Sequence, residues 1–431
     1  MRITQIDLWH VAIPTRVPFR PAWIPGLPQT ANRFDLIRLR TASGLEGWSA
    51  GVAIARERSG LGSLLGPYLL GERADDIPSV RQRLREMSYL GIRAGWIEPA
   101  CWDIVGKSLA RPVWALLGGR GGDVRVYAST GELRTGAQRV KEVEARLAEG
   151  FEAVKLRVHA ATLEEDLAQI RETRRGVGAG PVLAADANQG WRVAAVADAP
   201  SWDEARALAF CREAEAQGLA WVEEPLPFDD YGALARLRAA VGVDLAGGEL
   251  NGQGLPEFGV MLEKGCYDLY QPDATFVGGI AEVWGIVRRV RAAGVRYSPH
   301  TWTNGIGFAV NLQLQAASPW RDETWLEYPT DPPSWTVEAR DGILEAPWLQ
   351  RGGLVRVPDA PGLGFEVSRR ALRRFGRHVF RATRGRVALS AVLERGLRAA
   401  REAGAAREAR LAARASEVER SGGEPWRLAI A

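Results

Sequence analysis

A chain of 431 residues with 46% hydrophobic and 25% charged content can bury a large core and form more than one domain. No apolar run approaches the roughly 20 residues of a membrane span, and the opening MRITQIDLWH lacks the apolar segment of a signal peptide, so a cytoplasmic protein with no membrane partner is expected. Three scattered cysteines, Cys101, Cys211 and Cys266, exclude a disulfide framework and a thiolate metal site.

Residues 2–13 alternate as a strand, and residues 34–40 form a second one that ends in a turn at Ser43 and Gly44. Between them, residues 14–29 are rich in Pro and carry Phe19, Arg20 and Trp23, which predicts a long irregular loop of the kind that covers a site. Residues 76–117 read as helices, the second stopped by Gly118 and Gly119. Strands followed by helices predict an α+β domain over residues 1–125, ahead of the next unit.

From Phe151 onward the pattern changes to short apolar runs with polar ends, each followed by an amphipathic helix. Lys155, Arg157 and His159 share one face of the first strand. The next three runs end in Asp186, Glu223 and Glu249, and later ones in Asp273, His300 and Glu327. Helical periodicity covers residues 164–175, 203–217, 231–240, 255–264 and 279–293. This alternation predicts an α/β fold, a parallel barrel over residues 126–351, whose strand C-termini converge on one site. A lone acid at a strand end most often caps a helix or pairs with a surface Arg; three consecutive strands ending in acids point instead to a shared cation. Asp186, Glu223 and Glu249 are hard oxygen ligands with no Cys or His among them, which favours Mg²⁺ over zinc. Glu223 and Glu224 are adjacent, so only one can point inward, and the choice falls on Glu223.

Residues 358–365 are a turn-rich ending to this folded unit. Residues 366–431 hold sixteen Arg and seven Glu in helix-favouring surroundings, and they carry the basic character of the chain, whose net charge is +4. They predict a solvated or packing helical extension. With acids in the segment and few aromatics, no nucleic-acid partner is expected.

Set side by side, the motifs Lys155-Leu156-Arg157, Asp186-Ala187-Asn188, Trp221-Val222-Glu223-Glu224-Pro225, Gly247-Gly248-Glu249, Gln271-Pro272-Asp273, Ser298-Pro299-His300 and Leu326-Glu327 resemble the mandelate racemase branch of the enolase superfamily over residues 1–365. The resemblance implies a (β/α)7β barrel under an N-terminal capping domain, a return of the chain to that domain over residues 352–365, and one Mg²⁺ on Asp186, Glu223 and Glu249. It also implies an Asp273–His300 dyad that moves protons, Lys155 beside the substrate carboxylate, Glu327 bonded to that carboxylate, and a loop at residues 15–30 that closes over the substrate.

Removing a proton alpha to a carboxylate creates an enediolate, and its second negative charge must be stabilised. Mg²⁺, Lys155 and a protonated Glu327 would supply that stabilisation. His300, its tautomer fixed by Asp273, suits the role of base. Arg157 stands where a two-base racemase has lysine, and a guanidinium stays protonated. Dehydration of a sugar acid to a 2-keto-3-deoxy acid, which needs one base, is therefore favoured over racemisation or epimerisation of a 2-hydroxy acid. A non-catalytic metal- or metabolite-binding scaffold is the alternative from another class. Arg157 could bind a substrate hydroxyl or carboxylate, or pair with a neighbour such as Glu224. Arg20, Trp23, Asn188 and Trp302 are the candidate substrate contacts on a small carboxylate partner, and a homo-oligomer is expected.

Overall fold

The computed structural model describes residues 1–52, 61–191, 201–420 and 422–430. In chain order its strands are β1 (Ile3–Phe19), β2 (Gln29–Thr41), β3 (Glu46–Val52), β4 (Gly122–Ser129), β5 (Ala153–Arg157), β6 (Val182–Asp186), β7 (Trp221–Glu223), β8 (Asp244–Gly247), β9 (Leu269–Tyr270), β10 (Arg296–Tyr297), β11 (Leu326–Pro329), β12 (Gln350–Arg351), β13 (Leu354–Val357) and β14 (Gly376–Thr383).

The first sheet is antiparallel, in the order β14-β1-β2-β3. Ile6, Leu8, Val11, Ile13, Leu36 and Leu39 are buried in a core shared with the helices Ile77–Ser88 and Pro99–Ser108. β1 is longer than the sequence predicts. It continues through the expected loop as far as Phe19, which pairs with Gln29 across an irregular register. Pairing with β14 stops at Val11, so beyond it β1 has a partner on one side only, where Pro14 and Pro18 cost no ladder bond. The connection that remains spans residues 20–28.

β4 to β10 form a parallel run, each hydrogen-bonded to the next, with β11 parallel on the other side of β4. These eight short strands are almost entirely buried, as parallel strands covered by helices must be. The ends of the run, β10 and β11, share no ladder among the described residues. They meet where Ser298 Oγ donates to the Trp325 carbonyl at 2.6 Å and Thr324 Oγ1 donates to the Tyr297 carbonyl at 2.8 Å. Several of the intervening helices start at side-chain caps: Thr162 and Glu165 form a capping box, and Asp203, Asp230 and Asn304 each accept from the first turn.

After β11 the chain stays with the barrel strands, because β13 pairs antiparallel with β4. It meets the cap at Ala339 and Pro358, whose carbonyls accept from Asn32 Nδ2 and Trp114 Nε1, and again at Gly362 and Leu363, which bond to Val113 and to the carboxylate of Asp103. The expectation of helix throughout residues 366–431 needs one correction: residues 376–383 are β14, the outer strand of the capping sheet. The Arg count conceals a segment in which Val379 and Phe380 suit a strand and in which β1 offers an unpaired edge. Helix follows over Arg384–Arg420, interrupted at Gly396. Beyond it Trp426 is buried edge-on to Trp102, with ring centroids 6.2 Å apart.

Candidate active site

Because all eight barrel strands run the same way, the side chains that end them gather at one end. Lys155 on β5 is fully buried there. Its Nζ donates to Glu223 and, at 2.7 Å, to Glu327 Oε1, and lies 3.4 Å from Asp186 Oδ2. Burial alone would lower its pKa, but the charges of Glu223 and Glu327 outweigh that and hold it above the ordinary lysine value.

Arg157, two residues on along the same strand face, is also buried. Its Nη1 pairs with Asp186 and reaches Asn188 Oδ1 at 3.4 Å. Its Nε donates to the Thr130 carbonyl, and its Nη2 reaches Ser129 Oγ at 3.3 Å. The rings of Trp23 and Trp302 lie over the guanidinium at 5.1 and 5.4 Å. The carboxylate partner is thus Asp186 rather than Glu224. The fork is already committed, so the structure does not place Arg157 as a free contact for substrate.

Asp186 is held below the usual carboxylate range: Arg157 and Lys155 overcome its burial. Glu223 moves the other way. Burial and the like charges of Asp186, Glu327 and Glu249 push it up to about 8 against the pull of Lys155. Glu249 is raised by burial, and its Oε2 lies 3.4 Å from His300 Nε2. Three carboxylates on neighbouring strands that feel one another electrostatically are a donor set of the hard-oxygen type that suits Mg²⁺. Here the ammonium of Lys155 lies against Asp186 and Glu223, whereas Glu249 faces His300, and among the described residues no trio of His, Cys, Asp or Glu is set around one cation position.

His300 lies beyond β10, buried, with Nδ1 3.0 Å from Asp273 Oδ2. The other oxygen of Asp273 accepts from Thr275 and from Asn311 Nδ2 at 2.8 Å, so the carboxylate is fixed and orients the ring. Burial pulls His300 down, yet Glu249, Glu327 and Asp273 together raise it to about 10.

Glu327 departs from expectation. It accepts from Lys155, from Ser129 Oγ at 2.7 Å and from the Thr301 backbone N–H at 2.7 Å. Despite its burial, Lys155, His300 and Arg157 lower it to about 2. In this arrangement it is an ionised acceptor, not the protonated donor that the sequence suggested.

A wall of aromatic rings covers the site. Phe19 stacks on Trp302 at 5.6 Å and 9°, with Trp23 and Trp335 packed beside them. Trp302 Nε1 donates to Ser129 Oγ at 2.7 Å. Residues 20–28 are tied across the strand ends, where Ala22 N donates to the Gly131 carbonyl and the Ala22 carbonyl faces His159 Nδ1 at 3.0 Å. Trp23 and Trp302 therefore reach the site through Arg157. Asn188, at φ 49°, sits between Asp186 and Arg157. Arg20 does not join them: its side chain is exposed, and its backbone N–H bonds Glu132.

Ser129, Thr301, Gln271 and Asn311 were missed as site residues. Gln271 Nε2 donates to Glu223 Oε2 at 2.8 Å and lies in a quoted motif, so its place was discoverable. Asn311 lies in the middle of the helix Gly305–Ala317 with nothing in the sequence to mark it.

Comparison with known proteins gives the family of the chain. Residues 138–371 match the family model described as enolase C-terminal domain-like, and residues 6–118 match that of the mandelate racemase/muconate lactonizing enzyme N-terminal domain. D-galactarolactone cycloisomerase of Agrobacterium fabrum is 31% identical over 399 residues, 87% of this chain and 99% of that protein. L-talarate/galactarate dehydratase of Salmonella typhimurium is 29% identical over 389 residues, 86% of this chain and 90% of that protein. The solved structure of that dehydratase, liganded with Mg and L-lyxarohydroxamate, superposes with a TM-score of 0.74 at 26% identity, covering 88% of this chain and 94% of its own. An N-terminal cap over a TIM-type barrel is the fold these neighbours share. The chain belongs to the mandelate racemase/muconate lactonizing enzyme family of the enolase superfamily.

Proposed function

We propose that this protein is a Mg²⁺-dependent lyase that removes the proton alpha to the carboxylate of a sugar acid and expels the beta hydroxyl as water, leaving an enol that becomes a 2-keto-3-deoxy acid. The observation that carries this reading is the pairing of one imidazole base, His300 on Asp273, with an Arg157 that is already bound on every side. One base and no partner base suit elimination better than inversion.

A divalent cation held by Asp186, Glu223 and Glu249 would supply Lewis-acid stabilisation of the enediolate. The protein's own groups do the rest. Glu249, the carboxylate that does most to raise His300, would be engaged by the cation; in its neutral form His300 takes the alpha proton on Nε2, while Asp273 accepts the Nδ1 hydrogen bond, fixes the tautomer and stabilises the imidazolium. Lys155 places a fixed positive charge beside the carboxylate under attack, held there by Glu327. The imidazolium then returns its proton to the departing oxygen, so no water need be drawn in. The aromatic wall excludes bulk solvent from the enediolate.

A second reading shares the first step. If the leaving oxygen belongs to a lactone ring, the same base opens the ring, and the rings of Trp23, Trp302 and Trp335 suit a compact cyclic substrate. The identity with a D-galactarolactone cycloisomerase favours including it. The test is a panel of mono- and diacid sugars and their lactones, assayed for 2-keto product with and without EDTA. Metal-independent turnover, or none on any sugar acid or lactone, overturns the proposal. Exchange of the alpha proton with D₂O without elimination would favour the racemase reading, and full biological activity of His300→Asn the scaffold.

A further inference from the structure

The seven Glu that accompany the sixteen Arg after residue 365 are not evenly spread: between residues 367 and 393 there are eight Arg and no acid. All eight, Arg369, Arg370, Arg373, Arg374, Arg377, Arg381, Arg384 and Arg386, are exposed. Arg369 reaches Glu46, Arg381 pairs with Asp7 and Arg384 with Glu408. The other five have no carboxylate partner among the described residues.

The segment that follows completes the surface. Arg384 and Glu408 are 2.6 Å apart, whereas 24 residues of straight helix would separate them by about 36 Å. The chain therefore folds back at Gly396, whose φ of 80° is open to glycine. The second arm packs on the cap through Leu411 and Val418, and Arg414 is bonded to Asp76 at 2.7 Å. The first arm is anchored near its start by Val387 against Gly66, but farther along it leaves Leu389 59%, Leu393 78% and, at the turn, Leu397 54% exposed. Arg386 and Leu393 are seven residues apart, about 20° short of two full helical turns, so they share a face with Leu389. The region lies almost wholly beyond the family match, which ends at residue 371.

We propose that this basic, leucine-bearing surface docks on an anionic lipid bilayer. Arginines without counter-charges call for an anionic partner, and exposed leucines on the arm that carries Arg386 call for an apolar phase beside it; the headgroup boundary of an anionic membrane offers both. A second copy meeting this face across a two-fold axis would set arginines against arginines. Nucleic acid would satisfy the arginines and leave the leucines in water. The docking is peripheral: no helix among the described residues is long and apolar enough to cross a membrane.

The test is cosedimentation of the full chain with vesicles of phosphatidylcholine, alone or mixed with phosphatidylglycerol, at low and high salt. The wild type is expected to bind the mixed vesicles, to leave them at high salt, and to ignore phosphatidylcholine alone. Replacing four arginines (R370Q/R373Q/R374Q/R377Q) should lower partitioning by about two orders of magnitude or more, from the usual weight of a basic residue at such a surface. L389S/L393S should lower it about tenfold or more through lost apolar burial. Because lipid and salt dependence are read on the wild type, the proposal does not hang on the variants folding. Wild-type protein that stays in the supernatant at low salt overturns it, as does unchanged binding by the four-arginine variant. Binding of duplex DNA without vesicle binding, or dimers that L389S/L393S dissolves without any lipid affinity, overturns it equally.

Discussion

Glu98 joins the cap to the barrel, and its charge should be visible in the stability of the whole chain. The residue is fully buried at the start of the helix Pro99–Ser108. Its carboxylate accepts from the backbone N–H of Ile280 at 2.8 Å and of Ala281 at 3.1 Å, and from Trp102 Nε1 at 2.8 Å. The first two are orphan donors of the barrel helix Ile280–Ala292, whose N-cap, Gly279, has no side chain to offer. A Cβ on Gly279 would stand 2.6 Å from Glu98 Oε2, so the glycine makes room for a cap supplied by the other domain. Helix termini favour an anion here, but burial wins and pushes Glu98 up to about 7.

A carboxyl whose folded value lies above its unfolded one takes up a proton on folding. Its contribution is fully present below pH 4.5 and is lost as the pH rises through 7. A rise from 4.5 to about 7 corresponds to roughly 3 kcal/mol, at about 1.4 kcal/mol per pH unit. Glu98→Gln keeps one of the two accepting oxygens and removes the titration. Urea unfolding of wild type and variant across the acid-to-alkaline range should show the variant gaining on the wild type as the pH rises through 7, by an amount of that order. Any cost of the unpartnered amide NH₂ is the same at every pH, so the slope of the difference is the quantity to read. Parallel profiles would refute the reasoning. Asp331, also raised to about 7 by burial, adds a slope of the same sign to both proteins and cancels.

His300→Asn should lower turnover on a responsive sugar acid by about 10²–10⁴-fold while leaving Mn²⁺ binding, followed by electron paramagnetic resonance, in place; Asp273→Asn should have the same direction and a smaller size. Arg157→Lys should lower turnover without introducing stereochemical inversion in D₂O, and inverted product seen by NMR would show that the position serves as a base. Trp426→Ala removes an indole that is 3% exposed, at a cost of up to about 3–5 kcal/mol. It should be felt as local release of residues 422–430, read as faster tryptic cleavage at Arg427 with little change in global unfolding.

Local chemistry explains what was legible. The helices Tyr231–Ala240 and Leu255–Lys264 match the predicted spans because their ends are written in single residues: Asp230 caps the first, Pro256 opens the second and Gly265 closes it in a left-handed conformation. The polar ends of the barrel strands were legible for a similar reason, since a charge that breaks an apolar run has few places to go. What failed depends on neighbours distant in sequence. β14 takes its structure from an edge of β1 more than 360 residues away, and composition pointed to helix. The charge of Glu327 is set by Lys155, His300 and Arg157 arriving from two other strands' ends, and no motif carries that information.

Arg157 shows why the departure from a two-lysine pattern is more than the loss of a base. A lysine at this position would present one ammonium to one or two acceptors. The guanidinium satisfies Asp186, the Thr130 carbonyl, Asn188 and Ser129 together and leaves its planar face for Trp23 and Trp302, which only a planar fork can do. Trp23 belongs to the segment that crosses the strand ends, and Asp186 is one of the three carboxylates proposed to hold the cation. The same side chain therefore ties the cover of the site to its metal-binding floor. A lysine in its place would leave buried acceptors unpaired and the indoles without their cation, so the substitution would cost order at the site before it could offer a second route for the proton.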